Sequence, residues 1–273
     1  MRRIVRPQQA RHTLGTTQQS RSQGLINRVP EVTLVFWILK ILATTVGETA
    51  ADVLSMTFKL GTVVTSYVMA AFLIVSLIFQ FRARRYVPPI YWIVVVFISV
   101  VGTLISDNLV DNLGVPLTTT TAIFSVALIL VFVVWYMSEK TLSVHTIYNA
   151  KRELFYWAAI LFTFSLGTSG GDLLSERLAV GYALSALIFA AGIAIVFALY
   201  RAKVMNGVLA FWLAYILTRP LGASLGDLLT QAPADGGLGL GTIPVSVVFL
   251  LVIVILVFYL TKEEKKKAVP TAG

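Results

Sequence analysis

The chain has 273 residues, no cysteine, 57% hydrophobic residues and only 13% charged ones, with a net charge of +9. So small a charged fraction, about half that usual in soluble domains, excludes water as the main solvent, and the lack of cysteine excludes disulfides and thiolate metal sites. The positive charge does not point to nucleic acid, because the basic residues stand at the ends of apolar runs, as membrane topology demands.

Residues 1–28 contain six Arg and no acidic residue. They lack the apolar core of a secretory signal. An organelle transit peptide shares this composition, but the expected structure is a disordered basic tail near anionic lipid headgroups. Eight apolar runs follow, at 32–54, 61–81, 90–113, 117–137, 154–174, 179–200, 207–229 and 241–260. Each is long enough to cross a bilayer core of roughly 30 Å as a helix. The chain closes on a second basic tail, 261–273, with Lys262, Lys265, Lys266 and Lys267.

Four aromatic-Trp pairs open every second run: Phe36-Trp37, Tyr91-Trp92, Tyr156-Trp157 and Phe211-Trp212. Ten residues after each Trp comes a glycine (Gly47, Gly102, Gly167, Gly222), and five later an aspartate (Asp52, Asp107, Asp172, Asp227). Leucine stands two positions beyond each aspartate, so the segments GETAADVL, GTLISDNL, GTSGGDLL and GASLGDLL share one register. The second run of each unit ends in aromatic and basic residues, the mark of a membrane interface. The units fall at about 29–87, 88–150, 151–205 and 206–260, within one transmembrane domain spanning 29–260.

Eighteen of the twenty-two Lys and Arg lie on one side of this pattern, against Lys59 and Arg177 on the other and Lys40 and Arg219 inside spans. Both termini are therefore expected in the cytoplasm. With an even number of spans per unit, all four copies point the same way. The predicted fold is all-α and integral to the membrane: eight transmembrane helices from four tandem two-helix repeats, with parallel pseudo-symmetry about the membrane normal.

The four aromatic-Trp pairs and the Gly and Asp positions resemble a bacterial membrane-protein family of unknown function, built from four tandem repeats of two transmembrane helices and a Trp. The resemblance covers residues 29–260 and implies the bacterial inner membrane. It brings no reaction with it, so function rests on the residues.

Fifteen residues of helix put each Asp about 22 Å from its Trp, in the outer third of the bilayer if Trp37, Trp92, Trp157 and Trp212 mark the interface. A carboxylate there costs up to about 2.5–3.5 kcal/mol on insertion scales, which pairing, hydration or protonation must offset. The Asp residues either fix repeat packing through hydrogen bonds or handle a cation. Gly47, Gly102, Gly167 and Gly222, with Gly171 and Gly226 four positions on in the last two repeats, form small-xxx-small steps that let helix backbones touch.

The copies also differ. Lys40 and Glu48 occur only in the first repeat and Arg219-Pro220 only in the fourth. Glu48 and Asp52 share a helix face and repel unless a cation lies between them or a proton is held. Lys40 is about 12 Å from Glu48 along the axis, so its expected partner comes from another repeat. Pro220 removes a backbone donor near mid-membrane. Lys40 and Arg219 are either site residues or salt-bridge partners of the Asp residues. The Gly-x-Ser-x-Gly matches at Ser169 and Ser224 lack a base, since His12 and His145 lie on the opposite side, and no enzyme is expected. No P-loop, dinucleotide fingerprint or His-rich motif suggests a cofactor.

The leading expectation is a secondary transporter or ion-conducting protein of the cell membrane. It handles a cation through Glu48 and the four Asp, with Thr44, Thr45, Thr103 and Ser169 as auxiliary oxygens. Such ligands favour hard ions, namely protons, Na⁺, Mg²⁺, Ca²⁺ or Mn²⁺. The rival is a non-transporting scaffold in which the same charges pack helices.

Overall fold

The computed structural model describes residues 27–268, and every regular element in that range is helical. Of the basic tails expected at 1–28 and 261–273, residues 1–26 and 269–273 lie outside the described residues, while 261–268 continue the last helix. The helices are α1 (Leu34–Asp52), α2 (Gly61–Arg82), α3 (Pro88–Asp107), α4 (Leu117–Glu139), α5 (Ala150–Asp172), α6 (Tyr182–Arg201), α7 (Gly207–Thr230) and α8 (Thr242–Ala268). Seven are long and apolar enough to cross a membrane. The eighth, α5, begins with Lys151-Arg152-Glu153 and ends in Gly-Thr-Ser-Gly-Gly-Asp, which dilutes its hydropathy. It nonetheless packs between α3 and α7, two spanning helices, and so shares their solvent.

The helix starts are written locally. Thr33, Asn149 and Asn206 cap α1, α5 and α7, their side chains accepting from the backbone N–H three residues on at 3.3, 2.8 and 2.9 Å. In α3 a proline pair occupies the first turn, where no N–H is needed. The reversals into α2, α6 and α8 use Gly61, Gly181 and Gly241 at φ of +74°, +81° and +85°, where a Cβ would be strained.

The odd helices form a closed ring in which α1 touches α3, α3 touches α5, α5 touches α7 and α7 touches α1. Each even helix lies outside, against the first helix of the following repeat: α2 on α3, α4 on α5, α6 on α7 and, closing the circle, α8 on α1. More than half of α1, α3 and α7 is buried (61%, 56% and 67%), against 22%, 17%, 22% and 17% of α2, α4, α6 and α8. The outer surface is dense in exposed apolar side chains such as Val64, Phe72, Ile129, Leu187 and Ile255. Such a surface needs lipid as its solvent.

The repeated glycines set the closeness of the ring. A Cβ on Gly47 would sit 1.8 Å from Ser99 Oγ, on Gly102 2.5 Å from Phe164 Cβ, on Gly167 2.2 Å from Arg219 Cγ and on Gly222 1.9 Å from Thr44 Oγ1. Each glycine thus meets the same register position of the next repeat, three residues before that repeat's own glycine. Gly171 and Gly226 are looser, with nearest atoms at 3.6 and 3.3 Å. The ladder of four primary glycines, rather than the small-xxx-small step as a whole, carries the tight contact.

The basic end of the ring is plugged by aromatics. Trp92, Trp157 and Trp212 are buried, as are Phe36, Tyr91, Tyr156 and Phe211, while Trp37 is half-buried. Neighbouring rings meet edge to face or tilted at 5.2–6.2 Å, as in Tyr91–Trp92, Tyr91–Trp157 and Tyr156–Trp212. The tryptophans, expected to mark the interface, stand at the helix ends and turn inward, where eight large rings at one level fill the ring's mouth and pack on one another. Asn27 and Arg28, expected in a disordered tail, are also held. Asn27 bonds Val144 O and Ile147 N, and Arg28 pairs at 2.8 Å with Glu153, a fully buried carboxylate that also accepts from Gln80.

Candidate functional site

Aligning the four inner helices on their glycines shows how the polar core is assembled. One residue after each glycine stand Glu48, Thr103, Thr168 and Ala223, and three before stand Thr44, Ser99, Phe164 and Arg219. Arg219, wholly buried, reaches from the fourth repeat to all three others. Its Nη2 donates to Glu48 Oε2 at 2.9 Å, to Thr168 Oγ1 at 2.7 Å and to Thr103 Oγ1, and Nη1 donates to Thr44 O at 3.4 Å. Thr103 also donates to Glu48 Oε2 at 3.4 Å. The middle of the ring of inner helices is thus crossed by one ion pair flanked by two hydroxyls, with every repeat contributing.

The cation beside Glu48 is the Arg219 guanidinium, and of the two alternatives for Arg219 the one in which it pairs with the repeated aspartates is not what the structure shows. The reason is register. Arg219 stands three residues before its glycine and reaches the level one residue past it, whereas the aspartates are a further turn along.

Lys40 lies two turns toward the basic end, fully buried, and no carboxylate pairs with it among the described residues. As expected, its neighbours come from other repeats, but they are aromatic. Nζ stands 4.0 Å from the Phe164 ring centroid and 4.2 Å from that of Tyr215, and has no hydrogen-bond acceptor. Desolvated cation–π contacts contribute about 2 kcal/mol, against an effective several kcal/mol for taking an ammonium out of water. The rings hold the amine without balancing a full charge. Phe164 is shared, its centroid also lying 5.4 Å from Arg219 Cζ.

The aspartates occupy the far end of the inner helices. Asp227 is buried, and Asp52, Asp107 and Asp172 are half-buried. Among the described residues none of the four takes part in a salt bridge, and no three Asp, Glu or His side chains come close enough together to hold a metal ion. The first three repeats pass from Asp straight into a single wide π turn: Val53–Thr57, Asn108–Asn112 and Leu173–Arg177. In the fourth, α7 stays α-helical to Thr230 and carries Pro220 instead. Isolated π turns are rare in helices and concentrate at functional sites. Here they follow the aspartate in three of the four repeats.

The auxiliary hydroxyls divide. Thr103 joins the Arg219 cluster, whereas Thr45 donates to Ile41 O at 3.2 Å, and Ser169 to Ser165 O and Leu166 O, within their own helices. Thr44 bonds Ile41 O at 2.6 Å and approaches Thr218 O. Thr168, Phe164 and Tyr215 are site residues that sequence reasoning missed, although each occupies the register position of a residue it had singled out: Glu48, Arg219 and Lys40 respectively.

No curated protein and no solved structure matches the chain. The model of a repeat of unknown function, DUF347, matches it four times, at residues 35–86, 90–141, 155–204 and 210–266, one match per two-helix unit. With four copies covering most of its length, the chain belongs to the DUF347 repeat family, as an all-helical, multi-pass membrane protein.

Proposed function

We propose that the protein is a secondary transporter or ion-conducting protein of the cell membrane, with both termini cytoplasmic, that handles a cation through its intramembrane carboxylates. The observation that carries the reading is the Arg219–Glu48 pair on the ring, buried and bridged by hydroxyls from the two remaining repeats. A proton is the cation that suits this arrangement, since it needs one carboxylate rather than a cage of several. Protonating Glu48 removes its charge and weakens its hold on Arg219, which then keeps only neutral partners in Thr103, Thr168 and Thr44 O. Breaking a buried ion pair from one side costs about 3–5 kcal/mol, enough to shift a helix ring between two packings. The aspartates at the far end are positioned to pass protons or attract a cation toward the pair, at the depth where ionisable residues mark ion pathways.

The same contacts also support the scaffold reading, because one guanidinium that touches three other repeats is an efficient cross-link. Transport and scaffolding separate in proteoliposomes containing a pH-sensitive dye, with an imposed K⁺ diffusion potential. Proton flux above that of empty vesicles is expected from the wild type and its loss from Glu48→Gln. Wild-type vesicles as tight as empty ones to protons, Na⁺, Mg²⁺, Ca²⁺ and Mn²⁺ would end the transport reading.

A further inference from the structure

Between the aromatic plug and the Arg219–Glu48 pair lies a layer in which donors outnumber acceptors. Lys40 Nζ and Arg219 Nε are both buried and unpartnered, and so are the hydroxyls of Tyr215, Thr163 and Ser99. In the glycine register these residues stand seven to three positions before the repeat glycine, about one helical turn in depth, and all four repeats supply at least one. The layer and its neighbouring pair hold two basic side chains and one carboxylate, Glu48, which Arg219 already engages through Nη2. Hydroxyls can donate to one another, but an ammonium and a guanidinium Nε–H can only donate. With Lys40 protonated, what this layer lacks is an acceptor carrying one negative charge.

We infer that the layer between Lys40 and Arg219 binds a small monovalent anion, with Lys40 Nζ and Arg219 Nε as its charged donors and the hydroxyl of Tyr215, the ring that Lys40 faces, as a neutral one. Both cations border the same ring, Phe164, at 4.0 and 5.4 Å from its centroid, which joins them in one buried cluster. The flexible four-carbon stem of Lys40 lets its amine move from the aromatic faces to the anion, whereas Arg219 is fixed by its contacts to three repeats. The ligand class is halide, nitrate or formate. A divalent oxyanion would overcompensate the charge, and a bulky one would not pass between helices held at glycine contact. The inference concerns binding and stands apart from the proposed transport.

The experiment is a titration of the purified full chain in detergent, in gluconate buffer at fixed pH and ionic strength, with chloride, bromide, nitrate, formate and sulfate. Thermal midpoint and tryptophan fluorescence are read together, since Trp212 packs 5.7 Å from Tyr215. A saturable rise with the monovalent anions and none with sulfate is expected. Lys40→Met should weaken the apparent Kd at least tenfold, while Lys40→Arg keeps saturable binding. If Lys40→Met does not fold, Tyr215→Phe keeps the ring, removes the hydroxyl and should weaken Kd several-fold. A wild type indifferent to anions, equal responses to sulfate and chloride, or variants that titrate like the wild type would overturn the inference. Anion binding in a protein that moves no ions would remove the transport proposal and leave this one in place.

Discussion

Replacing Arg219 by Met tests whether the central cluster is an ion pair or a set of independent contacts. The substitution deletes the donor to Glu48 and leaves that carboxylate with one weak partner, Thr103 at 3.4 Å. Thr103 and Thr168 lose less, because each hydroxyl has an acceptor in its own helix to turn to, Ser99 O at 3.2 Å and Phe164 O at 3.3 Å. The cost is therefore that of an unpaired buried carboxylate, about 3–5 kcal/mol. On the scale of large soluble domains this lowers the unfolding midpoint by roughly 6–20 °C. Glu48→Gln alone strands the guanidinium beside Thr44 O and the two threonines and should cost less. In the double variant neither charge remains, and most of the loss should be recovered, with a coupling of about 2 kcal/mol or more. Thermal unfolding in detergent of the four proteins, followed by tryptophan fluorescence, completes the cycle. Additive losses, or an Arg219→Met protein that unfolds at the wild-type temperature, would show that the pair is not the keystone argued above.

Alanine at Gly47, Gly102, Gly167 or Gly222 should each lower stability by about 1–3 kcal/mol, since the added methyl meets an atom at 1.8–2.5 Å, whereas Gly170→Ala meets nothing within 4 Å and should be neutral or slightly stabilising. Equal midpoints across the set would break the glycine-ladder account. Reporter fusions after residues 86, 146 and 204 should read cytoplasmic and those near 58, 114, 177 and 235 external, and one swapped site would refute the two-span repeat. Asparagine at Asp52, Asp107, Asp172 and Asp227 should leave protein levels within a factor of two, because no ion pair is lost, yet reduce proton flux, most at Asp52, one turn from Glu48. Full flux in all four would make the repeated aspartate a packing residue.

The architecture was legible because it is repetitive. The Trp-Gly-Asp register carries the number of units and their common direction, and the glycine contacts follow from the same register. The identity of Arg219's partner was not legible. It depends on the rotation and depth of α7 against α1, and nothing within either helix's sequence sets that angle. Setting Glu48, Thr103 and Thr168 in one column would have shown three acceptors at one level, with an arginine one turn earlier in the fourth copy. The burial of the tryptophans was hidden for another reason. An aromatic-basic helix end reads the same whether the ring faces headgroups or its own symmetry mates, and only the close helix spacing decides it. Glu153, followed in chain order, resembles an ordinary first-turn acid, and its pairing with Arg28, 125 residues away, is purely tertiary.

The circular way in which each repeat leans on the next has a consequence for how the molecule is made. If spans enter the bilayer in order of synthesis, α1 arrives first, yet its outer cover, α8, arrives last. The lone carboxylate of Glu48 must wait for Arg219, which emerges 171 residues later. Until then the nascent chain holds an uncompensated acid in lipid and an inner helix with one flank open. A chain that stalls after its third unit is therefore marked as incomplete by its own exposed polar groups, a form of quality control that needs no signal beyond the order of the repeats.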